Sequence, residues 1–236
     1  MGLWQVFGPP EQWPDEDLVA FSDSFDQDLV LAAYRSGVFP MPLKGAFFRP
    51  RMAWWSPVRR GVLEPRRLRV ARSLRQSAKR YRVTFNRAFP AVLEGCADPR
   101  RPSGWIDDDI RSVYRALFDQ GVVVSVETWT KAGQLAGGLY GVSIGGLFAG
   151  ESMFHRADIG RDASKVALLA LAGQLADDGA DRLIDVQWAT PHLESLGATT
   201  LSRRAYLRRL DALLEVPAPR WPTTADHVES VAGGTP

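Results

Sequence analysis

Cysteine occurs once in the chain, at Cys96, so no disulfide can form within it. The residues around Cys96 leave two readings open, a small buried hydrophobe or a reactive thiol. Histidine is nearly as scarce: His155, His192 and His227 have no cysteine or carboxylate at ligand spacing, so no metal site is expected. No apolar run approaches the length of a membrane span, and the opening MGLWQVFGPPEQWPDED lacks the basic-then-apolar pattern of a secretory leader. These absences lead to the expectation of a cytoplasmic protein with no membrane partner. What is present is ordinary for a globular chain. With 236 residues, 45% hydrophobic and 24% charged, it can bury a core as one large domain or one domain plus a small one.

Acidic residues are missing from one stretch in particular. The net charge is only +2, yet Arg59, Arg60, Arg66, Arg67, Arg69, Arg72, Arg75, Lys79, Arg80 and Arg82 face a single acid, Glu64, within 24 residues. Solvated faces usually mix both signs, so a local basic field of this kind favours a polyanion such as a phosphate backbone.

The most informative window runs from Gly137 to Lys165, GGLYGVSIGGLFAGESMFHRADIGRDASK. It reads as two strands, 135–143 and 147–154, joined by a turn at Ile144-Gly145-Gly146. Glycines at 137, 138, 141, 145, 146 and 150 strip side chains from one region of sheet, which marks a bulge or the close approach of a backbone or ligand. Glu151 sits among them beside Phe148, Met153 and Phe154, and a helix opens at Ser164-Lys165. The window alone leaves open both a chemical centre and a plain hairpin with one edge carboxylate.

Taken in order, prolines 9, 10 and 14 leave residues 1–23 irregular, and Asp26 caps a helix over 27–36 that Gly37 ends. Residues 70–80 read as a helix with Val70 and Leu74 inward, and 82–85 alternates like a strand. Asn86 is expected to cap a helix over 91–96. Residues 108–120 form the clearest amphipathic helix, with Ile110, Val113, Tyr114 and Leu117 at i, i+3, i+4 and i+7. A strand at 122–130 pairs with 135–143 about Ala132-Gly133, and 147–154 continues the meander. A helix over 164–177 carries Leu168, Leu171 and Leu175 on one face. A buried strand, 182–187, is expected to lie parallel after this crossover, and Ser202 caps a last helix over 203–214. The expected organisation is a small aromatic and proline-rich N-terminal domain, 1–58, an acyltransferase-like catalytic domain, 59–215, and a loose tail, 216–236. The order β-β-β-α-β-α resembles the GCN5-related N-acetyltransferase fold, an α+β class with a mixed sheet and flanking helices.

With these elements placed, GLYGVSIGGLFAGESMFHR, SKVALLALAGQL and LIDVQ, with AAYRSGVFP upstream and WWSP, GCA and GWI between, resemble the leucyl/phenylalanyl-tRNA–protein transferase family in order and spacing from about Leu29 to Leu210. The resemblance implies transfer of leucine or phenylalanine, and acceptably methionine, from aminoacyl-tRNA to the N-terminal amine of proteins beginning with Arg or Lys, which marks them for N-end rule degradation. It implies no cofactor, neither metal nor nucleotide, because the aminoacyl ester is already activated.

Residue by residue, the resemblance carries the catalytic aspartate to Asp185 and its partnering glutamine to Gln187, two apart on a strand and so on one face. In this reading Gln187 positions the amine, Asp185 holds Gln187 polarised, and Glu151 braces the site. It carries the aminoacyl side-chain pocket to Leu139, Met153, Leu168, Leu171, Leu175 and Ile184, positions that periodicity alone would make ordinary core. Trp105 is implied as the adenosine platform, with Tyr34 and Tyr114 near the substrate. Arg72, Arg75, Lys79 and Arg80 are implied as the tRNA-binding helix. The chain departs from the family at Met41, where many members have a tryptophan, at Thr190, and in a longer loop over 156–163. Three alternatives stay open at this point: leucyl-tRNA-dependent transfer to N-terminal Asp or Glu, an acetyl-CoA-dependent N-acetyltransferase, and a non-enzymatic RNA-binding protein. The acetyl-CoA reading lacks the Arg/Gln-x-x-Gly-x-Gly/Ala loop, because 158–163 has the wrong spacing and two acids.

Overall fold

In the computed structural model, which describes residues 7–43, 52–100 and 104–222, a 3-10 turn over Pro10–Gln12 leads into strand β1 (Leu18–Ser22). Leu18 to Ser22 contains no proline and pairs antiparallel with residues 52–55, so the expectation of an irregular 1–23 is corrected over that strand; residues 1–6 lie outside the described residues. Asp26 caps α1 (Gln27–Arg35) by accepting the Leu29 N–H at 2.9 Å. β2 (Phe39–Pro40) and β3 (Met52–Trp55) complete a three-stranded sheet in the order β1-β3-β2.

β4 (Arg59–Leu63) is followed by a 3-10 turn over Pro65–Arg67, α2 (Arg72–Ala78) and β5 (Tyr81–Phe85). α3 (Phe89–Cys96) buries Cys96, which is 2% exposed and thus a core residue. Asn86 does not cap this helix. It stands at φ 55° and its Oδ1 accepts the Ser125 N–H at 2.9 Å, while the buried carboxylate of Glu127 accepts the N–H groups of Arg87 and Ala88 at 3.3 and 3.2 Å. α4 (Asp108–Asp119) starts at Asp107, whose side chain accepts the Ile110 N–H, and buries the four residues its periodicity singles out.

β6 (Val123–Thr130), β7 (Leu135–Ile144) and β8 (Leu147–His155) form the expected antiparallel meander. After α5 (Ala163–Ala176), β9 (Leu183–Gln187) returns parallel to β8. α6 (Pro191–Ser195), β10 (Thr199–Ser202) and α7 (Arg203–Leu214) end the fold, with Ser202 accepting the Ala205 N–H at 3.3 Å. The large sheet has seven strands in the order β10-β4-β9-β8-β7-β6-β5, and the class is α+β with a mixed sheet and helices on both faces.

Alternation along the strands feeds two cores. Val123, Tyr140, Val142, Ala149 and Leu183 join α1, α3, α4 and α7 on one face; Val124, Leu139, Phe148 and Ile184 join α2 and α5 on the other. Val30, Tyr34, Phe39 and Trp54 belong to the first core, so the N-terminal unit is packed against the large sheet. α5 is not a one-faced helix: Val166, Ala167, Ala170 and Ala172 are buried along with Leu168, Leu171 and Leu175, because the sheet covers one side and α2 and the 3-10 turn cover others. Beyond α7 the described chain is packed at two points, with Pro219 buried and Trp221 against Phe85 and Phe148. The rest of the expected tail, 223–236, lies outside the described residues.

Candidate active site

The large sheet splits beside Glu151. The parallel ladder between β8 and β9 runs from Leu147↔Leu183 to Ala149↔Asp185 and pairs no further residues. On the other side of β8, Tyr140 pairs with Ser152 and Gly141 with Gly150, which leaves Glu151 as the extra residue of a bulge. A cavity of about 210 Å3 occupies the split. Leu139, Phe148, Met153, Leu168, Leu171, Ile184, Val186 and Leu193 give it an apolar wall, and Glu151, Ser152 and Gln187 enter it as polar residues.

Two of its polar atoms are sealed from solvent and have no hydrogen-bond partner: Glu151 Oε1 and Gln187 Nε2. Orphaned buried polar atoms are costly and uncommon, and here an acceptor and a donor border one cavity. The second Glu151 oxygen, Oε2, accepts the Tyr114 hydroxyl at 2.8 Å. Tyr114 has spent its proton there, so Tyr34 donates to it across 2.7 Å. Burial pushes the Glu151 carboxyl up to about 7; the two tyrosine hydroxyls oppose the rise, the Asp185 charge adds to it, and Arg60 opposes it.

Asp185 is fully buried and does not line the cavity. Arg60 Nε donates to its Oδ1 at 2.8 Å and Arg60 Nη2 to its Oδ2 at 2.5 Å, and the Tyr206 hydroxyl donates to Oδ2 at 2.9 Å. Burial disfavours the Arg60 charge, but Asp185, Tyr206 and Tyr34 together hold the guanidinium above its ordinary range. Arg60 also donates to Gly37 O at 3.0 Å and lies over the rings of Phe39 and Tyr206, which ties the N-terminal unit to β9.

Asp185 reaches Gln187 through the backbone: its Oδ1 accepts the Gln187 N–H at 2.9 Å. Gln187 stands at φ 57°, a left-handed conformation, so strand alternation fails there. The expectation that Asp185 and Gln187 share a face and that Asp185 polarises the side-chain amide is corrected: the carboxylate fixes the backbone turn, and the side chain enters the cavity from it. The next residue, Trp188, is anchored by Nε1 donating to Asp17 Oδ2 at 2.8 Å and by the edges of Phe39 and Trp55.

Of the six apolar positions named from the sequence, Leu139, Met153, Leu168, Leu171 and Ile184 line the cavity, whereas Leu175 lies in the core further along α5. Tyr34 and Tyr114 are buried and face Glu151 rather than open solvent. Trp105 is half-buried against the first core, as is Met41. Thr190 caps α6, accepting the Leu193 N–H at 3.3 Å, and so positions a cavity residue. Arg72, Arg75, Lys79 and Arg80 are all exposed on and just after α2, which packs on α5, the helix that also lines the cavity. The longer 156–163 loop is tied to the same region: Tyr81 donates to Arg161 O at 2.8 Å and Ser77 to Asp162 Oδ2 at 2.8 Å.

Arg60 is the residue that sequence reasoning misplaced. Counted in the basic run, it is 1% exposed and neutralised within the fold. Arg60 stands two residues before Val62 on β4, and 60–63 are buried without a break, so the apolar Val62-Leu63 pair beside it was the one local signal. Tyr206 shares the buried face of α7 with Leu210 and Leu213, a spacing that marks it as core, but nothing local marks its hydroxyl as a partner of Asp185. Among the described residues no cluster of three or more His, Cys, Asp or Glu side chains could hold a metal ion, and no helix is long and apolar enough to cross a membrane.

A sequence model described as leucyl/phenylalanyl-tRNA protein transferase matches residues 62–211, and one for the N-terminal domain of the same family matches residues 23–58. The leucyl/phenylalanyl-tRNA–protein transferase of Pseudomonas paraeruginosa is 47% identical over 193 residues, 80% of this chain and 81% of that one. The protein of the same name from Nitrosomonas europaea is 43% identical over 206 residues, 85% and 83%. That of Shewanella piezotolerans is 40% identical over 235 residues, 95% of each. Among solved structures, a functionally unknown conserved protein from Staphylococcus epidermidis superposes with a TM-score of 0.39 at 10% identity, covering 78% of this chain and 67% of the other. L-PGS from Bacillus licheniformis gives 0.35 at 9% identity, covering 79% and 62%. Scores this low carry no argument about fold or activity.

Proposed function

This chain belongs to the leucyl/phenylalanyl-tRNA–protein transferase family, and on that footing we propose that its split-sheet cavity holds the side chain of a tRNA-borne leucine or phenylalanine while a protein N-terminal amine attacks the ester. The protein is an aminoacyltransferase. One observation carries the assignment of the site: an unpartnered acceptor, Glu151 Oε1, and an unpartnered donor, Gln187 Nε2, border one apolar cavity. A cavity of about 150 Å3 can admit a benzene ring. At about 210 Å3 this one is large enough for a leucyl or benzyl group.

In the reaction the amine nitrogen forms a bond to the ester carbonyl carbon, and the bond from that carbon to the ribose oxygen of the terminal nucleotide breaks. The amine gives up a proton and the ribose oxygen gains one. A peptide α-amine titrates near pH 8, so a fraction is already neutral and no strong base is required. Glu151 Oε1 is suited to hold the incoming amine and accept its proton, since burial brings that carboxyl to about 7. Gln187 Nε2 is suited to donate to the carbonyl oxygen as negative charge develops on it. Asp185 acts as a positioning residue that fixes the turn at Gln187.

The acceptor is read as a protein beginning with Arg or Lys, whose new leucine or phenylalanine then marks it for N-end rule degradation. Supporting this, the cavity lining contains Glu151 and no Lys or Arg, so a second positive charge is tolerated and an acidic N-terminus is repelled. The exposed basic face of α2 is read as the acceptor-stem surface. The test is incubation with radiolabelled leucyl-tRNA or phenylalanyl-tRNA and peptides that begin with Arg, Lys, Asp or Glu. Label should pass to the Arg and Lys peptides; faster transfer to the Asp and Glu peptides would reverse the acceptor assignment.

A further inference from the structure

The C-terminal segment beyond α7 reaches back to the cavity wall. Arg220 O accepts the Gln174 Nε2 hydrogen at 2.9 Å, which fastens this segment to α5 one turn beyond the cavity-lining Leu171. Trp221 then joins the core on the α5 face of the sheet, stacked on Phe85 of β5 at 5.8 Å between ring centroids and edge-on to Phe148 of β8 at 6.1 Å. Phe148 is fully buried and lines the cavity. Its ring has no freedom on its β7 side. A Cβ at Gly141 would come within 2.6 and 2.8 Å of the ring carbons, so the ring occupies space that only glycine leaves. Phe148, part of the cavity lining, is therefore bounded by Gly141 of β7 and by the Trp221 indole.

We propose that Trp221 sets donor specificity by backing Phe148: it is a positioning residue that fixes how large a side chain the cavity accepts. The inference rests on the reading of this cavity as the donor side-chain site. A packed interior transmits such a stop because it has little free volume. Removing the indole opens space directly behind Phe148, the ring retreats, and the cavity deepens toward larger donors.

The test compares kcat/KM for phenylalanyl-tRNA and leucyl-tRNA with one Arg-peptide, using the full chain. Trp221→Ala should move the phenylalanine-to-leucine ratio toward phenylalanine on the order of tenfold, the scale of a one-methylene misfit in an apolar pocket. Trp221→Phe, which keeps a ring behind Phe148, should restore the ratio to within about twofold, where a loss of general stability would not separate the two donors. In a Phe148→Leu background Trp221→Ala should add no further shift, since the ring that relays the change is gone. Should Trp221→Ala fail to fold, Trp221→Leu is read in its place. Met153→Ala serves as the control on the cavity itself. If Met153→Ala changes the ratio and folded Trp221→Ala does not, Trp221 is no specificity determinant. If neither changes it, the cavity is not the donor site and both readings fall.

Discussion

Arg60 grips both carboxylate oxygens of Asp185, 125 residues further along the chain, at 2.8 and 2.5 Å, and both side chains are shut off from solvent. The pair joins the N-terminal unit, through Gly37 O, to the turn that aims Gln187 into the cavity. A buried pair of this kind contributes little net stability relative to apolar residues, but breaking it leaves an uncompensated charge.

Arg60→Ala should therefore destabilise the fold by about 3–5 kcal/mol in urea unfolding. Arg60→Met combined with Asp185→Leu should recover much of that stability. It should not recover transfer, because the Gln187 N–H has lost its acceptor. Full activity in the double variant would show that the pair serves packing alone.

Gln187 separates chemistry from stability. At φ 57° a glycine fits the backbone better than glutamine, so Gln187→Gly should leave stability within about 1 kcal/mol of the parent. Single-turnover transfer should nonetheless fall on the order of a hundredfold, as for loss of one preorganised donor. An unchanged chemical step at saturating tRNA and peptide would remove Gln187 from the reaction.

The Glu151 carboxyl titrates near 4.5 in an ordinary setting and near 7 in the fold. The folded protein keeps a proton there that the unfolded chain has released. Stability should thus fall as pH rises from about 4.5 to about 7, by up to ~3 kcal/mol, and Glu151→Gln should flatten that segment of the profile. Transfer should rise through the same upper range as the carboxylate ionises, and the Gln variant should lose that limb. Denaturant titrations and initial rates across pH 5–8 measure both.

Met153 forms part of the cavity wall, so Met153→Ala should shift discrimination among leucine, phenylalanine and methionine donors by about 1–3 kcal/mol. Valine and isoleucine should remain poor donors, since their bulk lies next to the backbone. Competition among aminoacyl-tRNAs reads the ratios directly.

Reversing Arg72, Arg75 and Lys79 together should weaken tRNA use while a minimal aminoacyl-adenosine donor reacts as before, because these side chains are exposed and none lines the cavity. Parent affinity for tRNA should fall with salt at a log–log slope of about −0.7 to −0.9 per phosphate contact. Equal loss with both donors would assign the basic helix to folding instead.

Local chemistry made much of this protein readable from its residues alone. Asp26 and Ser202 each cap the helix that follows, the 3.6-residue period of α4 buries the four residues it singles out, and the meander, crossover and parallel return follow from turn glycines and alternation. Glu151 stood out because one carboxylate among glycines and apolar residues needs an explanation. What stayed hidden depends on contacts between distant segments. Arg60 looks like part of a basic surface until β4 pairs with β9 and places it on Asp185. Gln187 looks like an ordinary strand residue until the Asp185 carboxylate bends its backbone. Trp221 looks like part of a loose tail until the segment after α7 returns to Phe148. Caps and periods are set within a few residues and can be read there. The burial of a charge, the hand of a single backbone turn and the depth of a cavity depend on which remote side chains arrive, and only the closed fold decides that.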